Sequence, residues 1–304
     1  MSLPVVYHPN YVTPLPEEHR FPMPKFKLLH ELLLKDGIIT PQSTYTPEIA
    51  SNDILQLVHT RDYVENFCNG TLEPKKQRRI GLPWSEGLIK RTCTAVGGTL
   101  LTVKLALQQG ICFNTAGGTH HAFPDYGSGF CIFNDLAIAS RYLLQERLVK
   151  KILIVDLDVH QGDGTAFIFA QDDRVFTFSM HCEANFPYRK QNSDVDVALP
   201  IGLDDDGYLQ ILASYLPDLL TQVKPDIVLY DAGVDTHVGD RLGKLCLTDT
   251  GIYRREMQVI STCLAYGYPI AAVIGGGYSR NLNELVYRHS LLHRAGFACF
   301  KKNL

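Results

Sequence analysis

Four side chains able to hold a cation or move a proton fall within eight residues of 155-VDLDVHQGDGT-165: Asp156, Asp158, His160 and Asp163. An apolar run, 152-ILIV-155, leads into them. Unpaired charge at the end of a buried strand is costly, so the cluster calls for a counter-charge. Alternate residues of an extended strand share a face, which predicts that Asp156, Asp158 and His160 point the same way. Two carboxylates and an imidazole suit a divalent cation, zinc or ferrous iron. A second acidic strand end, 231-DAGVD-235, supplies Asp235. Such a set lacks thiolates and leaves a coordination position for water, the pattern of a catalytic metal.

Two further segments carry chemistry. In 117-GGTHHAFPDYGSGFCIFND-135, His120 and His121 follow a glycine turn that can aim both at one point. Imidazole titrates near neutral pH and suits general acid–base work. A working imidazole needs its other nitrogen held, and Asp156 and Asp163 are the available partners. In 275-GGGYSRN-281, glycines let the backbone approach a site, and Tyr278 can donate to a developing oxyanion. Read singly, a His pair or a glycine turn with a packed Tyr is as often structural; together with a metal they form a set for hydrolysing an acyl bond.

The elements that must position these residues are legible as two alternating periods. Apolar, β-rich runs are 111-ICFNT-115, 151-KILIVDLDV-159, 175-VFTFSMH-181, 226-DIVLYDAG-233 and 269-PIAAVIGG-276. Helical patterns cover 86–109, 134–146, 207–223, 248–267 and 281–296, with Asn134 and Thr248 as N-caps and Gly110 and Gly267 as stops. Near-continuous apolar strands alternating with helices predict an α/β fold with a mostly parallel sheet covered on both faces. The polar segments fall at strand carboxyl ends, where such sheets bind ligands. The stretches 117–133 and 182–206 read as long loops. No linker, repeat or charge block divides the chain, so one domain spanning 1–304 is expected.

Composition narrows the function. Of 304 residues, 45% are hydrophobic and 20% charged, as in ordinary globular proteins, and the net charge of −3 provides no global field for nucleic acid. The run 75-KKQRR-79 is the one basic cluster and reads as a solvated loop. The eight cysteines form no CxxC pair and read as free thiols of a reducing compartment. With neither a signal-peptide pattern nor an apolar stretch long enough for a bilayer, the expected location is cytoplasmic, without membrane insertion.

In order along the chain, GGTHHAFPDYGSGFCIFND, VDLDVHQGDGT, DAGVDTHVGDRLG and IGGGY resemble the histone deacetylase family of the arginase/deacetylase superfamily, most closely its class IV and compact bacterial members. The resemblance runs from 19-HRFPMPKF-26 to the last helix. It implies a single three-layer α/β/α domain with a mostly parallel central sheet. It implies zinc on Asp158, His160 and Asp235. His121 becomes general base and acid, oriented by Asp163; His120, backed by Asp156, lends electrostatic support; Tyr278 stabilises the oxyanion. Gly129 and Phe130 line the acyl channel. A monovalent cation, taken as potassium, is implied at Asp156, Asp158, His160, Ser179 and Met180. The implied activity is zinc-dependent amidohydrolysis of an acylated lysine, in a peptide or as a related small amine.

The sequence also departs from the family pattern. Gly81 stands where many histone-directed members have an acidic residue that clamps the substrate backbone. Lys25 matches a channel-floor Arg only loosely, and His237, two residues after Asp235, reads as a rim or hydrogen-bonding residue. Acetylated polyamines remain open as substrates, with Asp204–Asp206 as a candidate acidic rim, although such a run is more often a helix start. A dinuclear manganese ureohydrolase and an inactive acyl-lysine binder are the other readings.

Overall fold

The computed structural model describes residues 3–302; residues 1, 2, 303 and 304, the ends of the expected 1–304 domain, lie outside the described residues. Eight strands form one sheet: β1 (Val5–Val6), β2 (Thr44–Tyr45), β3 (Ile111–Asn114), β4 (Ile152–Asp156), β5 (Val175–Cys182), β6 (Val195–Leu199), β7 (Ile227–Asp231) and β8 (Ile270–Val273). Their order is β2-β1-β3-β8-β7-β4-β5-β6, and every neighbouring pair is parallel. The central strands β3, β4, β7 and β8 are buried throughout, which is why their sequences are continuously apolar rather than alternating.

Among the described residues there are ten α-helices: α1 (Lys25–Lys35), α2 (Asn52–Leu55), α3 (Arg61–Cys68), α4 (Pro74–Ile80), α5 (Glu86–Gln109), α6 (Asp135–Gln145), α7 (Asp163–Phe169), α8 (Asp205–Val223), α9 (Asp249–Ala265) and α10 (Leu282–Lys302). α5 packs on β3 and β8 and against α3 and α6, while α1, α8, α9 and α10 pack on one another and reach the sheet through α9 and α10. The result is the expected three-layer α/β/α arrangement. Local chemistry sets the helix ends. Asn134 and Thr248 accept from the backbone N–H of Ala137 and Gly251, and Gly110 ends α5 in the left-handed region at φ 81°.

Three expectations are corrected. The stretch 182–206 is not a loop throughout, because it contains β6. This edge strand alternates between half-buried and exposed positions, so it lacks a continuous apolar run. The run 75-KKQRR-79 is not a loop but the body of α4, started by Pro74 and closed by Gly81 at φ 79°. β4 ends at Asp156, so Asp158 and His160 do not share a strand face with it. They are gathered by the turn that follows.

Candidate active site

The carboxyl ends of β4, β7 and β8 are in register, with Asp156 opposite Asp231 and Asp231 opposite Val273. The segments leaving them, 157–163, 232–240 and 274–278, therefore meet at one point. After β4 the chain turns on its own carboxylates: Asp156 Oδ1 accepts from Asp158 N at 3.1 Å, and Asp158 Oδ1 from His160 N at 2.9 Å. Asp158 Oδ2 accepts from Gly276 N at 2.8 Å, and Asp235 Oδ1 from Val159 N at 2.9 Å. Gly276 has to be glycine: a Cβ there would stand 2.1 Å from Asp235 Oδ2 and 2.5 Å from Asp158 Oδ2.

These bonds bring Asp158, His160 and Asp235 together, with one ligand atom from each within 4.8 Å of the others and all three side chains buried. His160 Nδ1 is 2.9 Å from Asp158 Oδ1 and 3.2 Å from Asp235 Oδ2. Burial lowers the pKa of His160, but its hydrogen bond to Asp158 and the nearby charge of Asp235 outweigh that and push it up to about 10. Burial, reinforced by Asp158, raises Asp235 to about 7. Asp235 Oδ2 finds no hydrogen-bond donor. A buried all-oxygen-and-imidazole set with an unsatisfied carboxylate oxygen fits a divalent cation.

The His pair sits beside this cluster. Asp135 accepts from the backbone of Gly118 and Thr119, fixing the glycine turn, and Asn134 Nδ2 donates to the carbonyls of His120 and Ala122. His120 Nδ1 meets Asp156 Oδ2 at 2.7 Å, and His121 Nδ1 meets Asp163 Oδ1 at 2.6 Å. Burial opposes charge on both imidazoles. For His120, Asp156 and Asp158 overcome burial and raise the pKa well above its ordinary value. For His121, burial and the neighbouring His120 prevail over Asp163, so its pKa is lowered. The two imidazoles are thus pushed in opposite directions.

A cavity of about 520 Å³ opens onto this point, lined by both His residues, Asp158, His160, Gly276 and Tyr278. Gly129 (φ 55°) and Phe130 (φ 68°) line it too. The Phe130 ring lies 5.6 Å from that of Tyr278. Burial raises the Tyr278 hydroxyl well above its usual pKa, so it stays a proton donor. Ser179 pairs in register with Asp156, and Met180 follows it, buried, in β5. Gly81 lines the cavity, whereas His237 does not: its Nδ1 accepts from Gly239 N at 2.8 Å, and its Nε2 lies 3.3 Å from Asp249 Oδ1. Lys25 is buried in the cavity wall, its Nζ 3.4 Å from the carbonyls of Gly275 and Gly277, and burial lowers its pKa to about 8.

Two residues of the site escaped the sequence reading. Asp231 is fully buried, 3.8 Å from His120 Nδ1, and neither of its oxygens has a hydrogen-bond donor. Burial, then Asp156, raises its pKa well above the carboxylate range. It opens the very DAGVD segment that supplies Asp235, and an Asp inside an apolar strand was the available signal. Arg255, in α9, is fully buried and donates to the carbonyls of Leu157 and Gly233, clamping the turns that carry Asp158 and Asp235 while pairing with Glu256. Nothing local in α9 marked it.

Fold and site define an all-parallel α/β protein with a buried carboxylate–imidazole centre at the strand ends, where open α/β sheets place ligands. The chain belongs to the histone deacetylase domain family, whose pattern it matches over residues 19–292. It is similar to an uncharacterized protein of Picosynechococcus sp. PCC 7002, with 71% identity over 97% of this chain and 98% of that one. It is 33% identical to the acetoin utilization protein AcuC of Staphylococcus aureus, over 86% of this chain and 73% of AcuC. Among solved structures it resembles a histone deacetylase homologue complexed with SAHA: TM-score 0.84, 25% identity, 97% of this chain and 84% of that one. The homologue from Aquifex aeolicus shares the fold, with a TM-score of 0.84 at 23% identity over 98% of this chain and 84% of that one.

Proposed function

We propose that this chain is a zinc-dependent deacylase, one catalytic domain that hydrolyses the amide of an acylated lysine or related amine. The observation that carries this reading is the pair of Asp-held imidazoles whose Nε2 atoms meet 3.2 Å apart in the cavity, beside the Asp158–His160–Asp235 cluster. Zinc, or ferrous iron in its place, held by those three residues would supply Lewis acidity to an acyl carbonyl and make a nearby water easier to deprotonate.

The protein's own groups do the rest. With Nδ1 bound to Asp163, neutral His121 presents Nε2 to the cavity as a base for the attacking water. His120, held by Asp156 and with its pKa raised, favours the negative charge that develops on the carbonyl oxygen, and His121, once it has taken the water's proton, returns one to the departing amine. Tyr278, still protonated, donates to the same oxygen. Gly129 and Phe130 form the acyl channel. We also place a monovalent cation, potassium, at Asp156, Asp158, His160, Ser179 and Met180, supported by the register of Asp156 with Ser179. No disulfide forms among the described residues, which fits a cytoplasmic location, and no helix among them is long and apolar enough to cross a membrane.

The test is hydrolysis of acyl-lysine peptides and acetylpolyamines, with acyl groups from acetyl to long-chain, before chelation, after it, and after zinc is restored. Amine release that disappears and returns with the metal is the expected result. Zinc-loaded protein that releases amine from none of them would overturn the proposal, and two equivalents of bound manganese would point to the ureohydrolase reading.

A further inference from the structure

The lining of the cavity is electrostatically one-sided. It carries six cationic side chains, Arg20, Lys25, Arg78, Arg79, Arg91 and Lys244, and one carboxylate, Asp158, which belongs to the candidate metal cluster. Lys25 and Arg91 are buried deep in the wall, and Arg91 Nε has no hydrogen-bond partner. The other four are exposed and come from separate segments: Arg20 ahead of α1, Arg78 and Arg79 in α4, and Lys244 ahead of α9. For a chain of net charge −3, this is a local reversal of sign.

Two of these cations are held by aromatic rings. The Arg20 guanidinium sits 4.9 Å from the centroid of Phe130, the channel residue, and Arg79 sits 3.8 Å from that of Tyr126. Stacking of this kind leaves the guanidinium edge free to bind a carboxylate in bidentate fashion. Among the described residues, none of Arg20, Arg78, Arg79 and Lys244 forms an ion pair within the protein. Glu17, Glu18, Glu73, Asp125 and Glu183 are acidic residues in neighbouring segments, yet none lines the opening. The acidic run 204–206 is spent elsewhere: Asp204 caps α8, Asp205 binds Thr248, and Asp206 pairs with Arg254.

We infer that the substrate carries negative charge, as carboxylates, on the amine side close to the acylated nitrogen. This rests on the deacylase reading and names its substrate class. A lysine-rich tail or an acetylated polyamine would bring like charge to a cationic mouth enclosed by protein, where fields are focused. A carboxylate-bearing substrate would be steered in and held by the unpaired guanidinium groups. Two sources share this chemistry: an acyl-lysine flanked by Asp or Glu in a peptide, and a free N-acyl amino acid.

The test compares zinc-loaded protein on acetyl-lysine peptides flanked by Asp/Glu, by Ala or by Lys/Arg, together with free Nε-acetyl-lysine. Binding of the same labelled peptides to Tyr278→Phe protein is measured by fluorescence anisotropy, so the charge preference is read even if turnover is absent. The expected result is at least about a tenfold advantage of acidic over basic flanks in kcat/KM and in Kd, shrinking as salt rises from about 50 to about 500 mM. Arg78→Glu/Lys244→Glu is expected to bring the ratio to one or invert it. Preference for the free amino acid over the acidic peptide would identify the small-molecule source, and the reverse the peptide. Equal binding of acidic and basic peptides, or tighter binding of basic ones, would overturn the inference. Failure of every peptide to turn over while the acidic ones still bind best would instead remove the catalytic reading and leave the charge preference standing.

Discussion

His120 and His121 are consecutive in the chain, yet their Nε2 atoms lie 3.2 Å apart while their Nδ1 atoms are held by different carboxylates, Asp156 and Asp163. A regular strand would send the two rings to opposite faces. The turn after Gly117–Gly118 folds them toward one point, and Asn134 and Asp135 hold it there. Though they share a cavity, the two imidazoles are pulled apart electrostatically: Asp156 and Asp158 raise the pKa of His120 against burial, while burial and His120 lower that of His121.

This difference predicts a pH signature. Asp163 is the group that supports protonation of His121, against burial and against His120. Asp163→Asn removes that support, so the acidic limb of the kcat/KM profile should move to lower pH. The plateau should fall about 100-fold as the ring loses its anchor. A limb that stays in place would mean that another group is the base.

Tyr278→Phe removes a hydroxyl and nothing else. Turnover should fall about 10²–10³-fold, with thermal stability and bound metal unchanged. Unchanged kcat would exclude Tyr278 from oxyanion stabilisation.

Asp158→Ala deletes the carboxylate proposed to hold the metal, which also accepts from His160 N and Gly276 N. Metal content by mass spectrometry should drop from about one equivalent to background, and activity with it. Metal retained at full stoichiometry would place the ion elsewhere.

Arg255→Met strands the buried Glu256 carboxylate and frees the carbonyls of Leu157 and Gly233. Unfolding free energy in denaturant should fall by about 3–5 kcal/mol. Replacing Glu256 as well should recover part of that loss but not metal affinity, because the turns stay unclamped. Full metal affinity in the double variant would reduce Arg255 to a packing role.

His59 gives a stability prediction away from the chemistry. Its Nδ1 lies 3.0 Å from the Phe123 carbonyl and its Nε2 accepts from Asn134 N at 2.9 Å, so the neutral ring is doubly bonded. Burial lowers its pKa to about 4 from 6.5. Between these values the unfolded chain binds the extra proton, so stability is full above about 6.5 and declines as pH falls toward 4. The loss is on the order of 3 kcal/mol. His293, also lowered to about 4 by burial, contributes with the same sign. His59→Gln should flatten the slope of unfolding free energy over this window; an unchanged slope would assign it to other groups.

Much of the fold was legible because β3, β4, β5, β7 and β8 are long apolar runs between capped helices. β1 and β2 are two residues each, too short for any period to register. β6 is an edge strand whose exposed alternate positions are polar. α4 was hidden by composition: a basic run reads as solvent-facing, and only the folded chain shows Arg78 and Arg79 at the cavity mouth. In the site, Asp156, Asp158, His160 and Asp235 stood out because charge rarely follows a buried strand. Asp231 ends β7 as Asp156 ends β4, but no second candidate ligand follows it within two residues, so Asp235 overshadowed it in the same segment. Arg255 acts through backbone carbonyls, which leave no trace in the partners' side chains.

Gly276 N on Asp158, and Lys25 Nζ on the carbonyls of Gly275 and Gly277, tie the turn after β4 and the first helix to the segment that follows β8. During synthesis, the carboxylates after β4 and β7 leave the ribosome before the glycines that enclose them exist. The cage cannot close before residue 277 is made, so a nascent chain stalled short of it would leave the Asp158 and Asp235 carboxylates without the backbone wall that screens them.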